Sequence, residues 1–319
     1  MNYEEGLVSI CIPVYNGKDY IEQAVKSALN QTYTKVEIVI CDNASTDNTQ
    51  EILTSFEDER LKVYINTTNI GFASNLNKCI KMSQGEYVKF LCADDVLEED
   101  CIEKLVDFIE KYPEVKIISC NYNIINASNC ICPIVSDLST KSHLYKKGKE
   151  SIKKILLDKN KLAITPSCLF IKNTGENDKF IEVNNSSYSS DLEYVCRQLM
   201  KSDVLYVSDR LVKYRKHSNQ LTNKELTECI DRFRIPLEFR DYIINQNGLH
   251  LNENEWFKIK FEIFQHGLNL HLKEKNVISL KLIRYLLEKF GMQYFLYIPI
   301  YVIKIVLKKI ITRLRYIFR

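Results

Sequence analysis

The chain has little excess charge of either sign: 44 lysines and arginines against 41 aspartates and glutamates leave +3 over 319 residues. A uniformly basic, nucleic-acid-binding surface is therefore not expected, and no nucleic-acid partner is assigned. A secretory leader is also missing from the opening residues. Met1 to Gly6 is acidic and the first apolar run is short, so a reducing, cytoplasmic setting is expected. The 11 cysteines are odd in number and scattered, several of them inside apolar runs (Cys11, Cys41, Cys79, Cys120, Cys168), which fits reduced thiols and not a disulfide framework. The closest two, Cys130 and Cys132, lack the two-residue gap and second pair of a zinc knuckle. No Walker-A loop or dinucleotide fingerprint occurs, and Asn16-Gly17-Lys18 is too meagre for the Gly- and Lys-rich phosphate loop of a nucleotidyltransferase. Internal repeats and low-complexity tracts are absent as well.

What is present is core. Hydrophobic residues make up 45% of the chain and charged residues 27%, which suits a folded protein, and 319 residues suffice for one large domain and an appendage or for two modest domains. Strand and helix signals alternate through the first half. Val8 to Val14, Val36 to Cys41, Leu61 to Ile65, Tyr87 to Cys92 and Val115 to Cys120 read as buried strands. Between them Ile21, Ala24, Val25, Ala28 and Leu29 mark one face of a helix, and Gln50 to Phe56 a short one. Ala73, Leu76 and Ile80 mark the next, then Ile102, Leu105, Val106 and Ile109. This order predicts βαβ crossovers and a mainly parallel sheet flanked by helices, with ligands at the carboxyl ends of the strands. Polar clusters follow Val14, Cys41, Ile65 and Cys92, all at those ends. Ser136 to Gly148 reads as a polar loop, Ile152 to Leu157 as a short helix and Pro166 to Ile171 as a strand. Leu192 to Met200 reads as a helix and Val204 to Val207 as a strand. Beyond Thr222 the pattern is helical, with Trp256, Phe257, Phe261 and Phe264 in one amphipathic segment.

Each polar cluster has two readings when taken alone. Asp42, at a strand end, either accepts a hydrogen bond from a base N–H or caps a helix. Asp94-Asp95 either holds a hard divalent cation shared with substrate phosphate or belongs to an acid-rich helix start, since Glu98, Glu99 and Asp100 follow. Asp191 opens a helix and is an N-cap or a site carboxylate. Arg215 and His217, in Tyr214-Arg215-Lys216-His217, are phosphate contacts or a solvated basic patch.

The order of these pieces resembles the family 2 glycosyltransferases, whose α/β fold is called GT-A. The matching stretches are Val8 to Gly17, Asp42 to Thr49, Asn69-Ile70-Gly71, Phe90-Leu91-Cys92-Ala93-Asp94-Asp95, Asp191 and Tyr214 to His217. The resemblance implies a nucleoside pocket from Pro13, Val14, Tyr15, Asn16 and Asp42, with Asn69 and Gly71 beside it. It implies that Asp94 holds ribose and, with Asp95 and His217, a Mn²⁺ or Mg²⁺ ion on the donor diphosphate. Arg215 is implied on that diphosphate and Asp191 as general base. One departure is Cys92, where members often carry a further Asp.

The activity so implied is inverting transfer of a sugar, with UDP the expected nucleotide, to a glycan or lipid-linked glycan hydroxyl in bacterial surface polysaccharide synthesis. The competing expectation is an inactive nucleotide-sugar-binding or membrane scaffold protein. The expected domains are a GT-A domain over 1–222, with a donor half (7–120) and an acceptor half (121–222), and a helical region over 223–319. The uninterrupted apolar run from Tyr294 to Ile303 has ten residues, about half of a spanning helix. Six basic residues and no acid lie from Ile300 to Arg319, so the 292–319 tail reads as an interfacial anchor on the inner face of the cytoplasmic membrane, or as a core helix.

Overall fold

Val8 to Val14, the most apolar stretch of the N-terminal half, lies at the middle of the parallel strands. In a computed structural model of the chain, which describes residues 3–132, 141–157, 165–173, 179–184, 186–187, 189–218, 220, 230–274 and 280–291, Glu4–Val14 forms β1 and its last eight residues are buried. Buried on both faces, a strand needs no polar alternation, which is why this one reads as a continuous apolar run. Helix α1 (Ile21–Leu29) follows, then β2 (Val36–Asp42), α2 (Thr49–Thr54), β3 (Leu61–Ile65), α3 (Phe72–Met82) and β4 (Gly85–Phe90). β1 pairs in parallel with β2 on one side and β4 on the other, and β3 extends the sheet beyond β2. α1 buries Ile21, Ala24, Val25 and Ala28, the face its periodicity marks.

The second half changes the pattern. After β5 (Val96–Leu97) and α4 (Cys101–Lys111) come β6 (Val115–Asn126), β7 (His143–Tyr145), α5 (Lys149–Leu157), β8 (Leu169–Lys172), α6 (Ser190–Leu199) and β9 (Asp203–Lys216). β8 inserts antiparallel between β4 and β6, so the strand order is β3-β2-β1-β4-β8-β6-β9-β5, with β7 on β9. The parallel part is β3 to β4 together with β6–β9, and β8 makes the whole sheet mixed. Two differences from the sequence pattern concern this half. Pro166–Cys168 is a 3₁₀ turn leading into β8, since proline supplies no ladder N–H there. Within the expected 136–148 loop, His143–Tyr145 is a strand paired to β9.

The chain divides into two units, Met1–Lys224 with Phe239–His250, and Glu225–Glu238 with Leu251–Arg319. Helix α7 (Asp231–Gln246) contributes to both, and α8 (Glu253–Glu274) and α9 (Leu280–Phe290) belong to the second. The second unit has its own aromatic core, in which Phe233, Phe264 and Phe290 stand 5.8–6.2 Å apart by ring centroid. A Cβ on Gly267 would lie 2.7 Å from the Phe233 ring, so α8 needs a glycine at that contact. Among the described residues all cysteines are free, and no helix is long and apolar enough to cross a membrane. The 292–319 tail lies outside the described residues.

Candidate active site

The carboxyl ends of β1 and β2 are stitched together by their loops. Asn43 N–H donates to Val14 O and Asn66 N–H to Asp42 O, both at 2.8 Å. Asn16 takes a left-handed φ of 52°, which asparagine tolerates better than most side chains, and its Oδ1 accepts from Thr46 N–H at 2.8 Å. Asp42 is fully buried, and its carboxylate accepts from Ser45 N–H, Ser45 Oγ and Gln50 Nε2. A carboxylate has about four acceptor sites, so one is left on Oδ1. Pro13 and Val14 are buried, whereas Tyr15 is 47% exposed. Ile65 and Ile70 are exposed too, giving the strand ends an apolar rim.

Asn69 and Gly71 hold the next loop. Asn43 Nδ2 donates to Asn69 Oδ1 at 2.9 Å and to Gly71 O at 3.2 Å, while Asn43 Oδ1 accepts from Asn66 Nδ2 and Ile70 N–H. Gly71 has φ +86°, a conformation open to glycine at little cost, and leads directly into α3. Asn69 thus serves the loop with its Oδ1 already engaged by Asn43 Nδ2 and Gly71 N–H.

The end of β4 carries the acidic loop. The ligand atoms of Cys92, Asp94 and Asp95 lie within 4.8 Å of one another. Asp94 Oδ2 is 2.9 Å from His217 Nε2, and both side chains keep some exposure. Asp95 is 1% exposed and committed, accepting from Arg215 N–H at 2.8 Å and from Ser167 Oγ at 2.6 Å. Burial, and then the charge of Asp94, hold its carboxyl well above the usual range. Burial likewise pushes the Cys92 thiol well up, helped by Asp95 and Asp94 and, more weakly, by Asp191. Asp191 is therefore within electrostatic reach of the acidic loop.

Arg215 lies at 0% exposure beneath that loop. Its Nε donates to Asp94 O at 2.7 Å, Nη1 to Asn126 O and Asn129 Oδ1, and Nη2 to Gln23 Oε1. The guanidinium also rests 4.6 Å from the Tyr20 ring, which is 4.9 Å from the His217 ring. Sequence reasoning did not find Tyr20, Gln23 or Ser167, which no local pattern distinguishes.

Asp191 stands at the start of α6, half-buried, with Oδ1 accepting from Leu192 N–H at 2.7 Å. Loss of hydration pushes its pKa up to about 6; the backbone N–H groups of Leu192 and Asp191 and the charge of Arg240 oppose the shift. A carboxyl poised there is ionised at neutral pH yet basic enough to take a proton.

Comparisons with known proteins concern the family and the fold. The model of glycosyl transferase family 2 matches residues 9–153. An uncharacterized glycosyltransferase of Rickettsia typhi is 30% identical over 305 residues, 89% of this chain and 92% of that protein. The UDP-Glc:alpha-D-GlcNAc-diphosphoundecaprenol beta-1,3-glucosyltransferase WfaP of Escherichia coli is 41% identical over 104 residues, 33% of this chain and 41% of that one. Among solved structures, S. aureus TarS 1–349 in complex with UDP-GlcNAc superposes with a TM-score of 0.58 at 19% identity, covering 88% of this chain and 79% of that one.

Proposed function

The chain belongs to the family 2 glycosyltransferases, and on that premise we propose that it moves a sugar from a UDP-sugar to a hydroxyl of a glycan or lipid-linked glycan, with inversion, in bacterial surface polysaccharide synthesis. The observation that carries the proposal is the 2.9 Å contact of Asp94 with His217, at the strand ends where Asp42 and Tyr15 also gather. A UDP donor is supported by the names of WfaP and of the TarS complex, and a lipid-linked acceptor by that of WfaP.

The donor atoms fit a divalent ion. Asp94 offers a carboxylate oxygen and His217 an imidazole nitrogen, a pair that suits Mn²⁺ and accepts Mg²⁺ when substrate phosphates complete the shell. Cys92, kept a neutral thiol by its surroundings, is a poor ligand for either. Asp95, with both oxygens engaged, fixes the loop from beneath. When bound, the ion offsets charge building on the leaving diphosphate.

The remaining tasks fall to the protein. Tyr15, Ile65 and Ile70 offer exposed apolar surface for the base, and the acceptor site left on the buried Asp42 Oδ1 suits a base N–H. Arg215 acts on the diphosphate indirectly, by gripping the backbone of Asp94. Asp191 takes the proton of the attacking hydroxyl. One base and one in-line displacement invert the anomeric carbon. The basic 292–319 tail supplies attachment to an anionic membrane face where a lipid-linked acceptor is presented, which flotation with anionic liposomes checks. Turnover of a panel of UDP-sugars with Mn²⁺ tests the activity itself. Release of UDP dependent on both acceptor and Asp191 is expected, and a chain that binds UDP without turning over any donor overturns it.

A further inference from the structure

A buried hydroxyl beside the acidic loop has no part in the mechanism. Ser167, in the 3₁₀ turn before β8, is 0% exposed and lies 72 residues from Asp95 in sequence. Its Oγ accepts from Cys92 N–H at 2.8 Å and donates to Asp95 Oδ2 at 2.6 Å. It therefore spans the acidic loop, gripping the first residue by its backbone and the last by its carboxylate. A hydroxyl has one donor and two acceptor sites, so it makes both bonds at once. Alanine makes neither, and a carboxylate in its place would accept from Cys92 but repel Asp95.

Ser167 is itself held. Lys89, on β4 and fully buried, donates from Nζ to Ser167 O at 2.5 Å, with Cys120 Sγ 4.0 Å away. A buried ammonium is costly unless it is hydrogen-bonded, and here Ser167 O accepts from it, with the Asp95 carboxyl on the far side of the same residue. The lysine thus sets positive charge behind the loop while its hydrogen bond fixes the serine.

Between the two gripped residues stands Asp94, whose side chain keeps 27% exposure and meets no other described anchor than His217. We propose that Ser167, backed by Lys89, is a positioning residue that aims the Asp94 carboxylate at His217 and the donor diphosphate. The proposal rests on the Asp94–His217 site described above.

The test is Mn²⁺ affinity in the presence of UDP, read by the EPR signal of free Mn²⁺, with KM and kcat for the UDP-sugar alongside. Ser167→Ala is expected to weaken Mn²⁺ binding by about tenfold, the scale of one lost buried hydrogen bond. Ser167→Thr, which keeps the hydroxyl, is expected within about threefold of wild type. Ser202→Ala, which removes another buried hydroxyl that has no partner, serves as a control for general loosening and leaves Mn²⁺ binding unchanged. Should Ser167→Ala fail to fold, the isosteric Ser167→Cys replaces it and is expected to weaken binding in the same direction. Unchanged affinity in the folded Ala or Cys variant overturns the positioning role alone. A wild-type protein that binds UDP with no dependence on Mn²⁺ overturns the metal site, and this proposal with it.

Discussion

Asp94 and His217 stand 123 residues apart in sequence and 2.9 Å apart in space, the acid on the loop after β4 and the imidazole directly after β9. Two substitutions probe the pair. Asp94→Asn and His217→Ala should each reduce Mn²⁺-dependent UDP affinity, and the double variant should lose little more than the worse single one, because the two act as a unit. Calorimetry of UDP binding with and without Mn²⁺ checks this. Strictly additive losses would mean that the two side chains serve separate ligands.

Asp191→Asn should lower transfer by ~10²–10⁴-fold while donor affinity stays near wild type, since the amide keeps the shape and loses the basicity. Single-turnover rates with saturating donor measure it.

The same residue makes a stability prediction. The folded-state pKa of Asp191, about 6, lies above the ordinary carboxylate value, so the fold favours the protonated form. The stability this contributes is present at acid pH and lost as pH rises through about 6. Asp191→Asn should therefore be more stable than wild type at pH 8 by on the order of 2 kcal/mol, with a higher melting temperature, and the gap should narrow as pH falls through about 6 and vanish at about pH 4. Transfer by the wild type should rise with pH through the same window.

Arg240 lowers the pKa of Asp191, so Arg240→Met should move the acid limb of the kcat/KM profile to higher pH without changing its plateau greatly. A profile that keeps its midpoint would show that another group sets it.

Cys92→Ser should be close to neutral for both turnover and stability. The thiol is held neutral, and the loop is gripped by the Cys92 backbone N–H, which serine retains. A large loss of activity would give the sulfur a role the geometry does not.

Periodicity carried the sequence reading well where strands are buried on both faces. β1 to β4 and the three helices between them follow from it, and so does the convergence of polar loops at their ends. It failed on β9, where Ser208, Asp209 and Arg210 interrupt the apolar run and register shifts against β6 accompany the break. The antiparallel insertion of β8 is equally silent, because strand direction leaves no mark in composition. Within the site, carboxylates at strand ends announce themselves, whereas Ser167 sits in an apolar run that reads as plain core. A basic cluster such as Tyr214-Arg215-Lys216-His217 cannot be divided by sequence into the buried arginine and the partly open histidine that the fold makes of it.

The place of β8 also orders events during synthesis. β1 to β4 pair among themselves within the first ninety or so residues, but the outer edge of β4 finds its partner only when Phe170 and Ile171 emerge. At ~5–20 residues per second a ribosome leaves that edge open for several seconds. An unpaired strand edge is a template for pairing with another chain, and Lys89, next to the end of β4, puts a charge on that strand for the interval before it is buried. A side chain that ends up behind the acidic loop would thus disfavour pairing of the nascent chain with its own copies.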